Sequence, residues 1–322
     1  MAKQIDLPLE GIISQIPDVN PVFARHETFH PRFGWLKKGF DWAERDSGIF
    51  LKDDAPVRLG VGKNMVRSIR YWCSAFKVLE DDTPDARRLA NASPSDFGMK
   101  LLAQDGWDEF LEDPASLWLL HWNLLKPTCE AAAWYFTFHV FRQVEFSADD
   151  LLEALCKYRD SLGSRIVDAS LQKDISCIMR MYVEQGSKTG ASEDSIDCPF
   201  TELGIIQAVG NSKYYAFQIG SKANLPAEVV VAACLEFAGS KGKQKTISIS
   251  SLTFDVGSPG LAFKLNESAI CGAIEQVERW SDDIKLSDSA GLIQFSFARD
   301  ANELAQDILD RYFSTRRGGA KE

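Results

Sequence analysis

The sequence predicts a mainly α, α+β protein made of tandem winged helix-turn-helix-like units that carry small β-hairpins. Three observations lead there. Amphipathic stretches with apolar residues at helical spacing dominate the chain. A plan of helices followed by a short hairpin recurs along it without a strict sequence period, as structural analogues and not as an array of repeats. The strand-like segments are short and bounded by turn residues. The expected division is a basic N-terminal unit over residues 21–112, linking helices with a second unit over 113–222, and a third unit over 223–322.

After a lead of about twenty residues, "WLKKGFDWAERD" reads as a short helix and "GKNMVRSIRYWCSAFKVLE" as a long one. In the long one, Met65, Val66, Ile69, Trp72, Cys73 and Phe76 form an apolar stripe. Opposite them, Lys63, Arg67, Arg70, Ser74 and Lys77 form a face with four positive charges and no acid. "EDDTPDARRLANASPSDFGMKLL" is turn-rich, with a hairpin and then a helix capped by Ser93 or Ser95. "DPASLWLLHWNLL" starts with the cap Asp113 and with Pro114 at the first helical position, and should connect two units. "SADDLLEALCKYRDSLG" and "DASLQKDISCIMRMYV" are capped amphipathic helices, and "LGIIQAVGNSKYYAFQIG" is strand-like with a Gly-Asn turn. In the last unit, helix "LPAEVVVAACLEFAG", basic loop "SKGKQKTISISSL", turn "GSPG", helix "KLNESAICGAIEQVERW" and hairpin-like "IKLSDSAGLIQFSF" follow in turn. The tail "STRRGGAKE" should fray.

Composition sets the class. The 322 residues are 45% hydrophobic and 25% charged, ordinary for a globular protein and too apolar for disorder. "MAKQIDLPLE" lacks the plan of a signal peptide, and the longest apolar run, "AAAWYFTFHVF", is too short to span a bilayer, so a cytoplasmic protein without membrane attachment is expected. Seven cysteines without any C-x-x-C read as reduced core residues. The net charge of −10 argues against nonspecific nucleic-acid binding by the whole surface. Residues 21–80, however, hold eleven Lys/Arg against seven Asp/Glu, so a basic head sits on an acidic body.

Two short motifs invite enzymatic readings. "RHETFH" has the H-E-x-x-H spacing of zinc proteases, which requires His26 and His30 on one helix face. Pro31 pushes His30 out of the helical region and Gly34 interrupts again, so the segment should be a turn of helix at most. The other histidines, His121 and His139, offer no second ligand spacing, and no zinc is expected. "LGVGKNM" contains Gly-x-Gly-Lys, but Val57 stands at the first glycine position of a phosphate loop and Asn64 at the hydroxyl position, so no nucleotide is expected. A helix N-terminus with free amides at Lys63 to Met65 remains, which suits an anion such as DNA phosphate. Lys63, Asn64, Arg67 and Arg70, with Lys37 and Lys38 upstream, are the candidate DNA contacts, against the alternative of a solvated charged face. Asp105, Asp108, Glu109, Glu112 and Asp113 cluster, but helix capping explains them better than a metal. Lys241, Lys243 and Lys245 divide evenly between phosphate contact and simple solvation, while Lys173 and Arg180, offset by Asp168 and Asp174, suggest packing or a partner surface.

The blocks "FARHETFHPRFGWLKKGF", "LGVGKNMVRSIRYWCSAF", "FLEDPASLWLLHW", "SLQKDISCIMRMYV" and "SPGLAFKL", in this order, resemble the uncharacterised-domain family numbered 4007, with members in Ssp-type bacterial DNA phosphorothioation and phage-defence systems. The resemblance runs over nearly the whole chain from Pro21. It implies a DNA-binding protein with nicking activity, working beside a cysteine desulfurase, an ATP-using sulfur-transfer enzyme and an ATPase. The nick would open a strand so that sulfur can replace a non-bridging phosphate oxygen. The resemblance points to the blocks from His26 to Lys38 and from Gly60 to Arg70 as the site, and the position of His30 is commonly not histidine in the family. Phosphodiester hydrolysis needs a base, cations around the phosphate and an acid for the leaving oxygen. His26 or Glu27 could be the base, and Arg32, Lys37 and Lys38 could hold the scissile phosphate; alternatively Glu27 only holds the turn by pairing with Arg25 or Arg32. A divalent Mg2+ or Mn2+ and a homodimer stay open. So does catalysis itself, against a non-catalytic DNA-binding adaptor or a protein-binding scaffold.

Overall fold

In the computed structural model, the structure describes residues 22–82, 90–184, 198–210, 213–289 and 291–319. Helix α1 (Trp35–Arg45) begins at Gly34, whose φ of 75° is cheap only without a Cβ. It lies across helix α3 (Lys63–Ala75) through Gly39, where a Cβ would come within 2.5 Å of Cys73 Sγ and 2.9 Å of Ile69. The short helix α2 (Ala55–Leu59) leads into α3 through Gly60, again left-handed at φ 65°. Val66, Ile69, Trp72, Cys73 and Phe76 are buried, as the apolar stripe requires, and Met65 is half-buried.

The sequence suggests that α3 continues to Glu80, but it stops at Ala75. Lys77 turns left-handed at φ 59°, and Val78 enters strand β1 (Leu79–Asp81), which pairs antiparallel with β2 (Ala92–Pro94). The rest of the expected hairpin, residues 83–89, lies outside the described residues. Ser95 caps helix α4 (Asp96–Leu102), its Oγ accepting from Gly98 N at 2.9 Å and donating to Lys77 O at 2.5 Å. Gly98 sits so tightly under the chain that a Cβ would lie 2.1 Å from Val78 O.

Helix α5 (Pro114–Leu125) is buried along its whole length from Ala115 to Leu125, and Asp113 caps it through Ala115 N at 2.9 Å. A helix buried on every face must be wrapped by its neighbours, and α5 packs against the segment 199–203 and three other helices, those at 132–135, 227–240 and 259–263. The longest apolar run becomes helix α6 (Ala132–Tyr135) and a π-helical turn (Phe136–Val140), also buried. Strand β3 (Glu145–Ser147), helices α7 (Ala148–Ser161) and α8 (Asp168–Tyr182), and strands β4 (Ile206–Ala208) and β5 (Tyr214–Phe217) follow, with antiparallel sheet order β3-β5-β4. Asn211, in the expected Gly-Asn turn, is outside the described residues.

In the last third, helix α9 (Ala227–Ser240) precedes β6 (Thr246–Ser248). The segment expected as a basic loop also contains helix α10 (Ile249–Phe254), because Ser248 caps it through Ser251 N. The expected "GSPG" turn is the start of helix α11 (Pro259–Phe263), with Ser258 as cap and Pro259 at the first position. Helix α12 (Glu267–Glu278) and strands β7 (Ile284–Ser289) and β8 (Leu292–Phe297) complete a second antiparallel sheet of order β6-β8-β7. The final helix α13 (Ala301–Gly319) packs on α9 and runs through most of the tail expected to fray. Phe313 stacks on Trp107 at 5.1 Å and Arg317 donates to Asp105 O at 2.9 Å, which holds the helix down.

The fold is thus mixed and mainly helical, with small antiparallel sheets around a continuous apolar core that reaches from Phe23 to Phe313. All seven cysteines are free thiols; burial pushes Cys129 up to about 11 and Cys198 to about 12, which keeps them protonated. Among the described residues, no helix is long and apolar enough to cross a membrane.

Candidate nucleic-acid interface

The H-E-x-x-H segment is a turn, with Ala24, Glu27 and Thr28 left-handed at φ 55°, 51° and 67°. Each costs a non-glycine residue energy, so the surroundings must impose the conformation. Distant parts of the chain do so. Asp174 on α8 accepts from Ala24 N at 2.9 Å and pairs with His26 Nε2 at 2.8 Å. Arg180, one helical face further on, donates to Thr28 O at 2.8 Å, and Trp72 Nε1 on α3 donates to Phe29 O at 3.0 Å. Burial raises the Asp174 carboxyl above its ordinary range, while His26 and the Ala24 amide pull it back. His26 is fully buried against Trp72 and Trp134, with ring centroids 6.1 and 5.7 Å away.

The turn forms one wall of a cleft of about 530 Å³ whose floor is α3 and whose other wall is the segment 50–56. Arg25 and Glu27 enter it from the turn, Lys63, Arg67 and Arg70 from α3, and Lys52 and Asp53 from the far wall. Arg67 is exposed, its Nη1 3.6 Å from Glu27 Oε1. Lys63 and Asn64 are exposed at the start of α3, whose N-cap Gly62 supplies no side-chain hydrogen bond to the first amides. Arg70 is different: only 8% exposed, it donates to Asp81 at 2.8 Å and to Ala90 O at 2.9 Å. Lys77 has left the basic face altogether, donating to Asn123 O at 2.5 Å and Lys126 O at 2.8 Å, and burial lowers its ammonium to about 8.

Of the three residues the sequence suggests for catalysis, only Glu27 lines the cleft. His26 faces the core, and Arg32 lies 5.9 Å from the Phe29 ring and 5.6 Å from that of Trp35. Lys37 bridges Asp41 at 2.6 Å and Glu109 at 3.0 Å, and Lys38 donates to Leu59 O at 3.1 Å, both on the other side of the α2–α3 turn. Two acids missed in the sequence, Asp81 and Glu130, complete the cleft. Glu130 is exposed where it lines the cleft; partial desolvation by the neighbouring protein raises its carboxyl, Asp81 adds to the rise, and Lys77, Arg25 and Arg70 oppose it. Glu130 lies in "PTCE", with no local pattern to mark it, whereas Asp81 was legible only as part of an acidic turn.

The acidic stretch 105–113 serves structure: Asp108 accepts from Glu112 N, Asp113 N and Ser116 Oγ. Among the described residues, no group of three or more His, Cys, Asp and Glu is arranged to hold a metal ion. Lys241 pairs with Asp255 at 3.7 Å and Lys245 donates to Arg299 O, while Asp174 is a core residue and not a surface charge.

Solved structures with this architecture exist. A crystal structure of SspB and a magnesium ion-bound crystal structure of SspB each match with a TM-score of 0.86 and 37% identity. The magnesium-bound one is matched over 92% of this chain and 89% of its own, the other over 94% and 90%. No curated protein sequence matches the chain. A family model described as "Protein of unknown function (DUF4007)" matches residues 23–313, and with it the chain belongs to that family.

Proposed function

We propose that this chain is the DNA-engaging, strand-nicking subunit of a bacterial DNA phosphorothioate modification and phage-defence system. The observation that carries the reading is the cleft, where two exposed cations, Lys63 and Arg67, and the uncapped N-terminus of α3 face a carboxylate, Glu27, on a strained turn. Exposed cations and free amides bind phosphate, and a carboxylate beside them can take the proton of an attacking water. Water attacks phosphorus, its proton passes to Glu27, the bond to the leaving strand oxygen breaks, and that oxygen is protonated from solvent. Arg67 stabilises the charge that gathers on the phosphate. His26 is a positioning residue in this scheme: with Asp174 it fixes the turn that presents Glu27.

The likeness to a magnesium ion-bound SspB crystal structure raises a divalent ion, Mg2+ or Mn2+. Mg2+ takes one or two carboxylates and completes its shell with water and phosphate. Asp81, which also accepts from Arg70, and Glu130 are two of the cleft carboxylates that would hold such an ion, which when bound would neutralise phosphate charge.

The 21–112, 113–222 and 223–322 units are winged-helix-like in this reading. The order helix, strand, helices and hairpin, with two helices between strand and hairpin in the second unit and three in the third and with sheet orders β3-β5-β4 and β6-β8-β7, supports it for those units, and α1, α2, α3 and the β1–β2 pair support it for the first. Lys63, Asn64 and Arg67 are then phosphate contacts, Arg70 holds α3 to the hairpin, and Lys37 and Lys38 lie outside the cleft. By the family resemblance, the chain works in the cytoplasm with a cysteine desulfurase, an ATP-using sulfur-transfer enzyme and an ATPase, and a homodimer is compatible with it. One observation favours the rival, a non-catalytic DNA-binding adaptor: Glu27 lies 3.6 Å from Arg67 and pairs with it instead of standing free.

Salt-dependent affinity for duplex DNA tests the shared part. Lys63→Glu/Arg67→Glu should weaken binding at every salt concentration and flatten the log–log salt slope by about two. An unchanged affinity and slope would place DNA elsewhere.

A further inference from the structure

On the other side of the α2–α3 turn from the cleft lies a groove of about 310 Å³ between α1 and the turn 108–111. Two large rings stand in the open there: Phe33 is 57% exposed and Phe110 58%. Neither is loose. Phe33 precedes Gly34, held at φ 75°, and a Cβ on Gly34 would meet nothing within 4 Å, so the groove is open at that point. Phe110 precedes Leu111, left-handed at φ 56°, in a turn tied to the start of α5 by the three hydrogen bonds that Asp108 accepts. Lys37 staples the two sides, bridging Asp41 and Glu109 with its Nζ 5.9 Å from the Phe110 ring. Lys38 and Arg45 line the same groove, and among the described residues no carboxylate lies within ion-pair distance of either. Exposed apolar rings on constrained turns, beside two cations, Lys38 and Arg45, that no acid among the described residues pairs, match neither a core nor a solvated face. They match what an unpaired nucleic-acid strand uses: a ring on which a base stacks and cations for its phosphates.

We propose that this groove receives a single-stranded stretch of DNA, one or two bases stacking on Phe33 and Phe110 and the backbone running past Lys38 and Arg45. The inference rests on the reading of the chain as DNA-engaging; it adds a subsite for the strand that an opened duplex frees. The test is fluorescence anisotropy of the full chain with three labelled probes: an oligothymidylate, an abasic oligonucleotide of the same length, and a duplex. Phe33→Ala/Phe110→Ala should lose about tenfold or more in affinity for oligothymidylate, since each stacked base contributes about 1–3 kcal/mol. Abasic and duplex binding should stay unchanged, and Phe33→Trp/Phe110→Trp should restore the loss. Unchanged oligothymidylate binding in the alanine variant would overturn the inference and leave the groove to a protein partner. An equal drop on all three probes would overturn it as well. Loss of duplex binding in Lys63→Glu/Arg67→Glu, with phenylalanine-dependent oligothymidylate binding intact, is the expected separation of the two sites. Phenylalanine-dependent binding of oligothymidylate in a chain with no duplex affinity would overturn the cleft reading alone.

Discussion

Asp174→Ala should be among the most damaging single changes in the fold, although the residue touches no candidate DNA contact. Its side chain is 2% exposed and sits opposite a fully buried His26 ring. Through it run the hydrogen bonds to His26 Nε2 at 2.8 Å and to Ala24 N at 2.9 Å, from a helix 150 residues away in sequence from Ala24. Removing one partner of such a buried pair leaves the other without compensation and costs about 3–5 kcal/mol. Asp174→Asn keeps the shape and an acceptor but trades charged hydrogen bonds for neutral ones, a difference of about 1 kcal/mol per bond. Urea unfolding followed by tryptophan fluorescence reads both, because His26 lies against Trp72 and Trp134. The double variant His26→Ala/Asp174→Ala should lose clearly less than the sum of the single variants. Additivity within about 0.5 kcal/mol would mean that the two side chains are uncoupled and that the turn is held by other means.

Gly98→Ala should destabilise by about 1–3 kcal/mol, because its Cβ would lie 2.1 Å from Val78 O; a change within noise in the urea midpoint would contradict that packing. Lys77 carries a pH dependence. Burial lowers its ammonium from 10.5 to about 8, so in that window the folded chain has shed a proton that the unfolded chain still binds. Stability linked to Lys77 therefore rises with pH from about 8 to 10.5, relative to Lys77→Met. Parallel pH profiles of the two proteins' urea midpoints would refute it.

Local chemistry made much of the first third readable. The stripe from Met65 to Phe76, the caps at Ser95 and Asp113, and Pro114 at a first helical position each act within four residues or one helix face, so sequence spacing carries them. The helix end at Ala75 was not readable, because Lys77 is pulled into a left-handed turn by the carbonyls of Asn123 and Lys126, far along the chain. Helix α10 was missed for a nearer reason: its Ile-Ser-Ser-Leu start continues the lysine-rich stretch read as a loop until Ser248 is seen to cap it. In the cleft, the exposed pair Lys63 and Arg67 followed from helical spacing, but the same spacing could not tell them from Arg70, which Asp81 and Ala90 take out of solvent. His26 and Glu27 are neighbours in sequence and face opposite ways, one to Asp174 and one to the cleft, since the left-handed turn between them has no local signature. Glu130 lies between two helices without a motif, and only the tertiary fold brings it into the same cleft as Arg70.

The central claim is strand nicking at the cleft, and the most direct measurement is conversion of supercoiled plasmid to open circle by the purified chain. It should be run with Mg2+ or Mn2+, with EDTA, and with and without the partner enzymes. The account predicts metal-dependent nicking that disappears in Lys63→Glu/Arg67→Glu together with DNA affinity, and disappears in Glu27→Gln while DNA affinity remains. Nicking that survives Glu27→Gln would remove that carboxylate from the chemistry. A wild-type chain that binds DNA tightly and cuts none, even with every partner present, would contradict the claim and leave a DNA-binding adaptor.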